Sequence, residues 1–236
     1  MTSPEAVGMD VAVIGGGPVG LALVNELGWR GVRCLLVEET DGTVAFPAGE
    51  HIFVRTMEHL RRWGIAAPAR NGAWPPRDLR PDIVFATSAV GEVMARFPMA
   101  SNAEAATTLS EVSPEGPLLR AKAELDPLLA RTAAAHPTVR LLHRRRAEEF
   151  RQDADGVTLT VRDLHSGAAR EYRSRYLVGC DGGRGRTRTA LGIRYTGEFA
   201  QGHNFAVYFR ALSPATARTR SGCTSAVAQA TTPPKS

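Results

Sequence analysis

Two short stretches carry residue types suited to holding a nucleotide. Gly15, Gly17 and Gly20 follow an apolar run at GxGxxG spacing. The first of three such glycines permits a tight turn, the second lets backbone approach a pyrophosphate, and the third lets a helix pack on a strand. Glu38 lies roughly 20 residues further on, where the dinucleotide fingerprint puts an acid that accepts from ribose hydroxyls. An acid there argues against a bound 2′-phosphate, so the resident adenine nucleotide is FAD or NAD rather than NADP. The second stretch is Asp181-Gly182-Gly183, a carboxylate and two glycines at the end of the apolar run Tyr176 to Val178. Ligands of open α/β sheets lie at the carboxyl ends of strands. By itself the second stretch also reads as a plain Asp-Gly turn.

The elements that must position these groups are legible around them. Val11, Val13 and Ile14 make a buried parallel strand that stops at Gly15. Pro18 suits the first turn of a helix whose Leu21, Val24 and Leu27 turn inward and which Gly28 and Gly31 end. Its positive end faces the place of a phosphate. A second strand runs from Val32 to Val37 and carries Glu38 at its tip, followed by a loop from Glu39 to Gly49. Phe53, Met57, Leu60 and Trp63 give the face of a second helix, ended by Gly64. Arg55 falls in its first turn, where a guanidinium either forks onto a pyrophosphate or is a surface arginine; the sequence leaves both open.

Trp74 to Pro81 reads as a connector, Ile83 to Thr87 and Val90 to Phe97 as a strand pair of another sheet, and Ser101 to Gly116 as a loop. Leu125, Leu128, Leu129 and Thr132 form the face of a third helix, with Asp126 as cap and Pro127 in the first turn. Val139 to Leu142 suits a third parallel strand. A meander follows, Ala147 to Gln152, Val157 to Arg162 and Arg170 to Tyr172, punctuated by Asp155-Gly156 and Ser166-Gly167. A helix starts at Thr187.

Composition narrows the function classes. The 236 residues are 43% hydrophobic and 22% charged, ordinary for a globular chain of one large domain or two small ones. No run approaches the roughly 20 apolar residues that span a bilayer, and no secretory leader is visible, so the expectation is a soluble cytoplasmic protein. Cys34, Cys180 and Cys223 show no redox or metal spacing, and the six histidines form no HxxxH or HxH pair. Cys34 reads as strand packing. The net charge of +5 is arginine-based. The cluster His143 to Arg146 lacks the interleaved aromatics of a nucleic-acid surface, and solvated surface arginines are the better reading.

Taken together, the stretches GGGPVGLALVNELGWRGVRCLLVEE, VRTMEHLRRWGI, AELDPLL and YLVGCDGGRGRTRTALGI resemble the flavoprotein aromatic hydroxylases, single-component FAD monooxygenases with the p-hydroxybenzoate hydroxylase fold. The resemblance covers about Asp10 to Arg210. It implies a Rossmann-like, glutathione-reductase-type α/β fold: a parallel sheet with a β-meander, plus an incomplete mixed sheet of a substrate domain. Residues 1–74 and 119–192 would form the FAD-binding domain, 75–118 substrate-domain strands and loop, 193–211 the start of the substrate sheet, and 212–236 a disordered tail.

The resemblance further implies that Gly15, Gly17 and Gly20 line the FAD pyrophosphate, that Glu38 takes the adenosine ribose and that Arg55 holds the phosphates. Asp181 and Gly182 would touch both the pyrophosphate and the path used by NAD(P)H. Arg188 matches the closing arginine of the Asp-Gly motif. Lys122 stands where the family usually has a glutamine approaching the FAD, and Gly185 where it usually has serine. No side chain is expected to be catalytic, because the flavin carries the chemistry: NAD(P)H reduces it, and a flavin C4a-hydroperoxide delivers oxygen to a small phenolic ring.

The family's later Gly-Asp motif is not present, and from Leu212 the composition shifts to Ser, Thr, Ala, Arg and Pro. The sequence thus reads as a truncated chain whose end is a reading-frame product or a linker. A monooxygenase and a non-catalytic FAD-binding fragment remain the two readings; the Asp181 motif disfavours an NAD dehydrogenase.

Overall fold

In the computed structural model of the chain, residues 5–44, 49, 51–71, 78–88, 91–198, 205–206 and 227–228 are described. The elements run β1 (Glu5–Ile14), α1 (Pro18–Trp29), β2 (Cys34–Val37), β3 (His51–Ile52), α2 (Val54–Arg62), α3 (Ala66–Arg70), β4 (Ile83–Ala86), β5 (Val93–Phe97), α4 (Asn102–Thr108) and β6 (Leu118–Leu119). They continue with α5 (Lys122–Ala135), β7 (Val139–Leu142), β8 (Arg145–Asp153), β9 (Gly156–Asp163), β10 (Ala169–Gly179), α6 (Arg186–Ala190), β11 (Phe205–Ala206) and β12 (Val227–Ala228).

A mixed six-stranded sheet, ordered β7-β2-β1-β10-β9-β8, organises the first unit. Strands β7, β2, β1 and β10 pair in parallel, and β10, β9 and β8 pair antiparallel. The apolar runs of β1 and β2 are continuous because both faces of these strands are covered. Val11, Val13, Cys34 and Leu36 face α1, α2 and α5, where they pack with Leu21, Val24, Met57, Leu60 and Leu129. Ala12, Leu35 and Val37 point the other way, onto Leu159, Val161 and Tyr172 of the meander. Cys34 is fully buried, and burial pushes its thiol up to about 11. As read from the sequence, it packs the strand.

Several local expectations are corrected. The third meander strand and the apolar strand before Asp181 are one element: β10 pairs with β9 over Ala169–Ser174 and then with β1 up to Gly179. Gly28 does not end α1; it sits within it, and a Cβ there would lie 2.7 Å from both the His136 ring and Val139. Gly31, at φ +74, is the residue that releases the helix. Phe53 is the exposed N-cap of α2 rather than part of its inward face. Helix α5 starts at Lys122, so Asp126 is no cap and Pro127 is inside the helix.

The stretch Ser101 to Gly116 is not all loop. Asn102–Thr108 is helical, an alanine-rich surface turn with no buried residue and hence no apolar period to betray it. Residues 102–118 group with the first unit. Leu118 belongs to the helix-side core, and the Ser113 hydroxyl donates to Glu58 Oε1 at 2.9 Å. Buried Glu115 pairs with Arg61 at 3.5 Å and also with Arg70.

The second unit comprises residues 80–101 and 195–236. It holds the antiparallel pair β4–β5, a sheet separate from the parallel one as the sequence indicates, and the short pair β11–β12. The expected strand Asn204 to Ala211 and the expected tail lie largely outside the described residues, as does the connector's Trp74-Pro75-Pro76. Among the described residues no helix is long and apolar enough to cross a membrane, and no His, Cys, Asp or Glu cluster could hold a metal ion.

Candidate functional site

The carboxyl ends of β1, β2, β7 and β10 are stitched into one rim. Gly15 N–H donates to Val37 C=O at 2.9 Å, Glu38 N–H to Leu142 C=O at 2.8 Å, and Cys180 N–H to Ile14 C=O at 2.7 Å. The rim borders a cleft of about 920 Å³ lined by Gly15, Glu38, Asp181, Arg184 and Thr187 together with Phe150 and Leu159 of the meander.

The glycine turn is built from close approaches. Gly15 adopts φ +104, and a Cβ on it would lie 2.4 Å from the Cys180 carbonyl oxygen and 2.8 Å from the Asp181 nitrogen. A Cβ on Gly20 would lie 1.9 Å from the Gly15 carbonyl oxygen. The third glycine of the motif therefore packs on the first, and the first on the chain just before Asp181. Gly17 is different: a Cβ there would meet nothing within 4 Å. This residue is the N-cap of α1 without a side-chain cap, and no acid occupies the first turn. The helix thus presents an open, uncompensated positive end, which fits an anionic diphosphate.

Glu38 lies at the tip of β2, as its position in the sequence requires. Its Oε2 accepts from Gly16 N–H at 2.6 Å, and its Oε1 from Thr40 N–H and the Thr40 hydroxyl at 2.7 and 2.6 Å. Burial pushes this carboxyl upward, but the three donors outweigh it and hold the group below the usual carboxylate range. A charged, oriented acceptor at the rim suits ribose hydroxyls.

Across the turn, Asp181 Oδ2 accepts from Thr187 N–H at 2.9 Å and from the Thr187 hydroxyl at 3.0 Å. Gly182, at φ +80, supplies the left-handed turn beside it. Cys180 next to it has its thiol pushed up by burial and then by the Asp181 charge.

The other candidates are engaged elsewhere. Exposed Arg55 pairs with Glu58 at 2.8 Å, and no contact joins it to the glycine turn among the described residues. The Lys122 ammonium pairs with Asp126, a buried carboxyl raised by desolvation against the pull of that lysine. Lys122 N–H donates to Gly49 C=O at 3.3 Å, and the β3–β6 pair brings the start of α5 to the segment leading into α2. The Arg188 guanidinium donates to Ile193 C=O. Arg144, Arg145 and Arg146 are neutralised by Asp41, Asp163 and Glu39 at 3.0, 2.8 and 2.5 Å. That pairing agrees with surface arginines rather than a basic patch.

Three supporting residues escape sequence reading. Gly16 and Thr40 fix Glu38, and Thr187 fixes Asp181. None of the three has a local pattern that marks it as the partner of a carboxylate.

Comparison with known proteins agrees with this geometry. The family described as FAD binding domain matches residues 8–233, across the change of composition at Leu212. A 4-methyl-5-nitrocatechol 5-monooxygenase of a Burkholderia species is 32% identical over 89% of this chain, which spans only 38% of that protein's length. The substrate-free structure of the rebeccamycin biosynthetic enzyme RebC superposes with a TM-score of 0.70 at 39% identity, over 81% of this chain and 36% of that one. The flavin-dependent monooxygenase PieE, solved with FAD and substrate, gives a TM-score of 0.74 at 30% identity, over 85% of this chain and 34% of that one. By its rim, its two signatures and these matches, the chain belongs to the FAD binding domain family of the flavoprotein aromatic hydroxylases.

Proposed function

We propose that this chain is the FAD-binding body of an NAD(P)H-dependent monooxygenase that hydroxylates a small, electron-rich aromatic ring. One observation carries the reading: two signatures far apart in sequence meet at one cleft, with Gly15 packed on the backbone of Cys180 and Asp181. In this reading Gly15 and Gly20 shape the turn, Gly17 leaves room for the pyrophosphate, and Glu38 accepts from the adenosine ribose. Asp181 and Gly182 line the opposite side of the pyrophosphate and the path of NAD(P)H. Arg55 reaches the phosphates by leaving its solvent-exposed pair with Glu58, an exchange that costs little. Lys122 and Arg188 complete the phosphate side. Bound FAD supplies the redox and oxygen chemistry; the chain binds it, orients it and limits water, and none of its side chains acts as nucleophile. The β4–β5 pair and the residues after 193 are assigned to the substrate domain, and the aromatic character of the substrate follows the names of the relatives.

A second reading, FAD binding without turnover by this chain alone, is favoured by its spanning 38% of such a relative. Titration of the purified chain with FAD, followed by flavin fluorescence, tests the shared part: quenching at a 1:1 end point is expected. Addition of a phenol and NAD(P)H under oxygen then separates the two. Reductant consumption identifies the monooxygenase, and quenching without consumption identifies the binding module. Protein that neither quenches FAD nor oxidises NAD(P)H overturns both.

A further inference from the structure

Gly185 is the N-cap of α6 and has no side chain with which to accept a first-turn N–H. Asp181 accepts it instead, taking both the N–H and the hydroxyl of Thr187 on Oδ2. Thr187 is buried, and its own place depends on a glycine: a Cβ on Gly179 would lie 2.7 Å from Thr187 Cγ2. The other carboxylate oxygen also depends on one, because a Cβ on Gly185 would lie 2.3 Å from Asp181 Oδ1. Thus Thr187 draws one oxygen, Gly185 leaves space for the other, and Gly179 leaves space for Thr187. A serine placed at position 185 would bring its hydroxyl on a Cβ that occupies the space Asp181 Oδ1 now fills and that lies 2.8 Å from the Gly182 carbonyl oxygen. The two arrangements exclude each other for this orientation of the carboxylate.

We propose that Thr187 is the positioning residue for Asp181, and that positions 185 and 187 are a coupled pair that sets the orientation of this carboxylate and through it the contribution of Asp181 to FAD binding. The proposal rests on the FAD reading above. Its test is a double-mutant cycle on the full chain with Thr187→Ser, Thr187→Val, Gly185→Ser and the combined Gly185→Ser/Thr187→Val. FAD affinity is read by fluorescence titration, and the melting temperature is read without FAD. Thr187→Val is expected to weaken FAD about tenfold, as loss of a hydrogen bond to a charged group does, while Thr187→Ser stays within about twofold.

Gly185→Ser alone weakens binding, and adding Thr187→Val frees the carboxylate to turn away and restores part of the loss, a non-additive result, while the contact with the Gly182 carbonyl oxygen keeps the recovery incomplete. Additive losses overturn the proposal. So does Thr187→Ser behaving like Thr187→Val, or a lowered melting temperature with unchanged FAD affinity, which would make the contact structural only. If the unmodified chain takes up no FAD, the FAD reading falls separately. The same variants then decide the pairing by melting temperature, where non-additivity supports the coupling and additivity overturns it.

Discussion

The turn after β1 and the turn after β10 face one cleft, yet they are built on opposite plans. The first is held by backbone packing and by an acid from a neighbouring strand: Gly20 lies on Gly15, Gly15 on Cys180, and Glu38 reaches across to Gly16 N–H. The second is held by its own side chains, with Asp181 folded onto Thr187 six residues later. A turn fixed by packing is set when the sheet forms, whereas a turn fixed by one carboxylate is adjustable. The difference teaches that one signature serves as scaffold and the other as a tunable contact.

Substitutions break this contrast in order of size. Gly20→Ala forces a Cβ to within 1.9 Å of a backbone oxygen, so it is expected to cost about 3 kcal/mol or more and to abolish FAD uptake, as read by denaturant melts and fluorescence titration. Gly17→Val separates binding from stability inside the same motif. Its Cβ enters open space, so only the poorer N-cap is lost and stability should fall by about 1 kcal/mol while FAD binding disappears. Unchanged affinity would show that the turn is not the site.

Glu38→Ala strips three donors of their acceptor and should lower stability by about 2 kcal/mol along with affinity. The same carboxylate gives a pH test. Its folded-state pKa lies below its unfolded value, so its stabilisation is present above about pH 4.5 and is lost as pH falls through the folded value. Glu26 behaves alike: the Trp63 indole, ahead of Arg30 and Arg62, holds it at about 2, so its share disappears between pH 4.5 and 2. Acid melts of Glu38→Gln and Glu26→Gln should each flatten part of that slope. Smallest of all, Arg146→Ala removes an exposed pair with Glu39 and should change stability by less than about 0.5 kcal/mol.

The sequence carried the parallel strands and α1 because each rests on a local pattern, an apolar run, a glycine spacing or an acid at a strand tip, whereas the meeting of the two motifs followed only from the family resemblance. What it hid depends on tertiary contact. Gly28 looks like a helix terminator, and only the His136 ring and Val139 explain why a glycine is needed inside α1. Asp126 next to Pro127 looks like a cap, but α5 begins a turn earlier and buries that aspartate against Lys122. The surface helix α4 has no buried face to announce it. At the site, Thr40 and Thr187 are ordinary threonines until the carboxylates they hold are placed.

Strand β10 also acts as a connecting rod. Its first half is geared to the meander and its second half to β1, with Asp181 at its far end. Gly156, at the tip of the β8–β9 hairpin, sits so tightly on the middle of the rod that a Cβ there would touch the Ser174 carbonyl oxygen at 2.3 Å. From that abutment to Asp181 is about 23 Å of extended chain. A one-residue slip in the meander would shift the whole rod by one step and turn every side chain on it to the opposite face. The length of the β8–β9 hairpin, whose Phe150 and Leu159 line the cleft, therefore calibrates where the second signature stands at the rim.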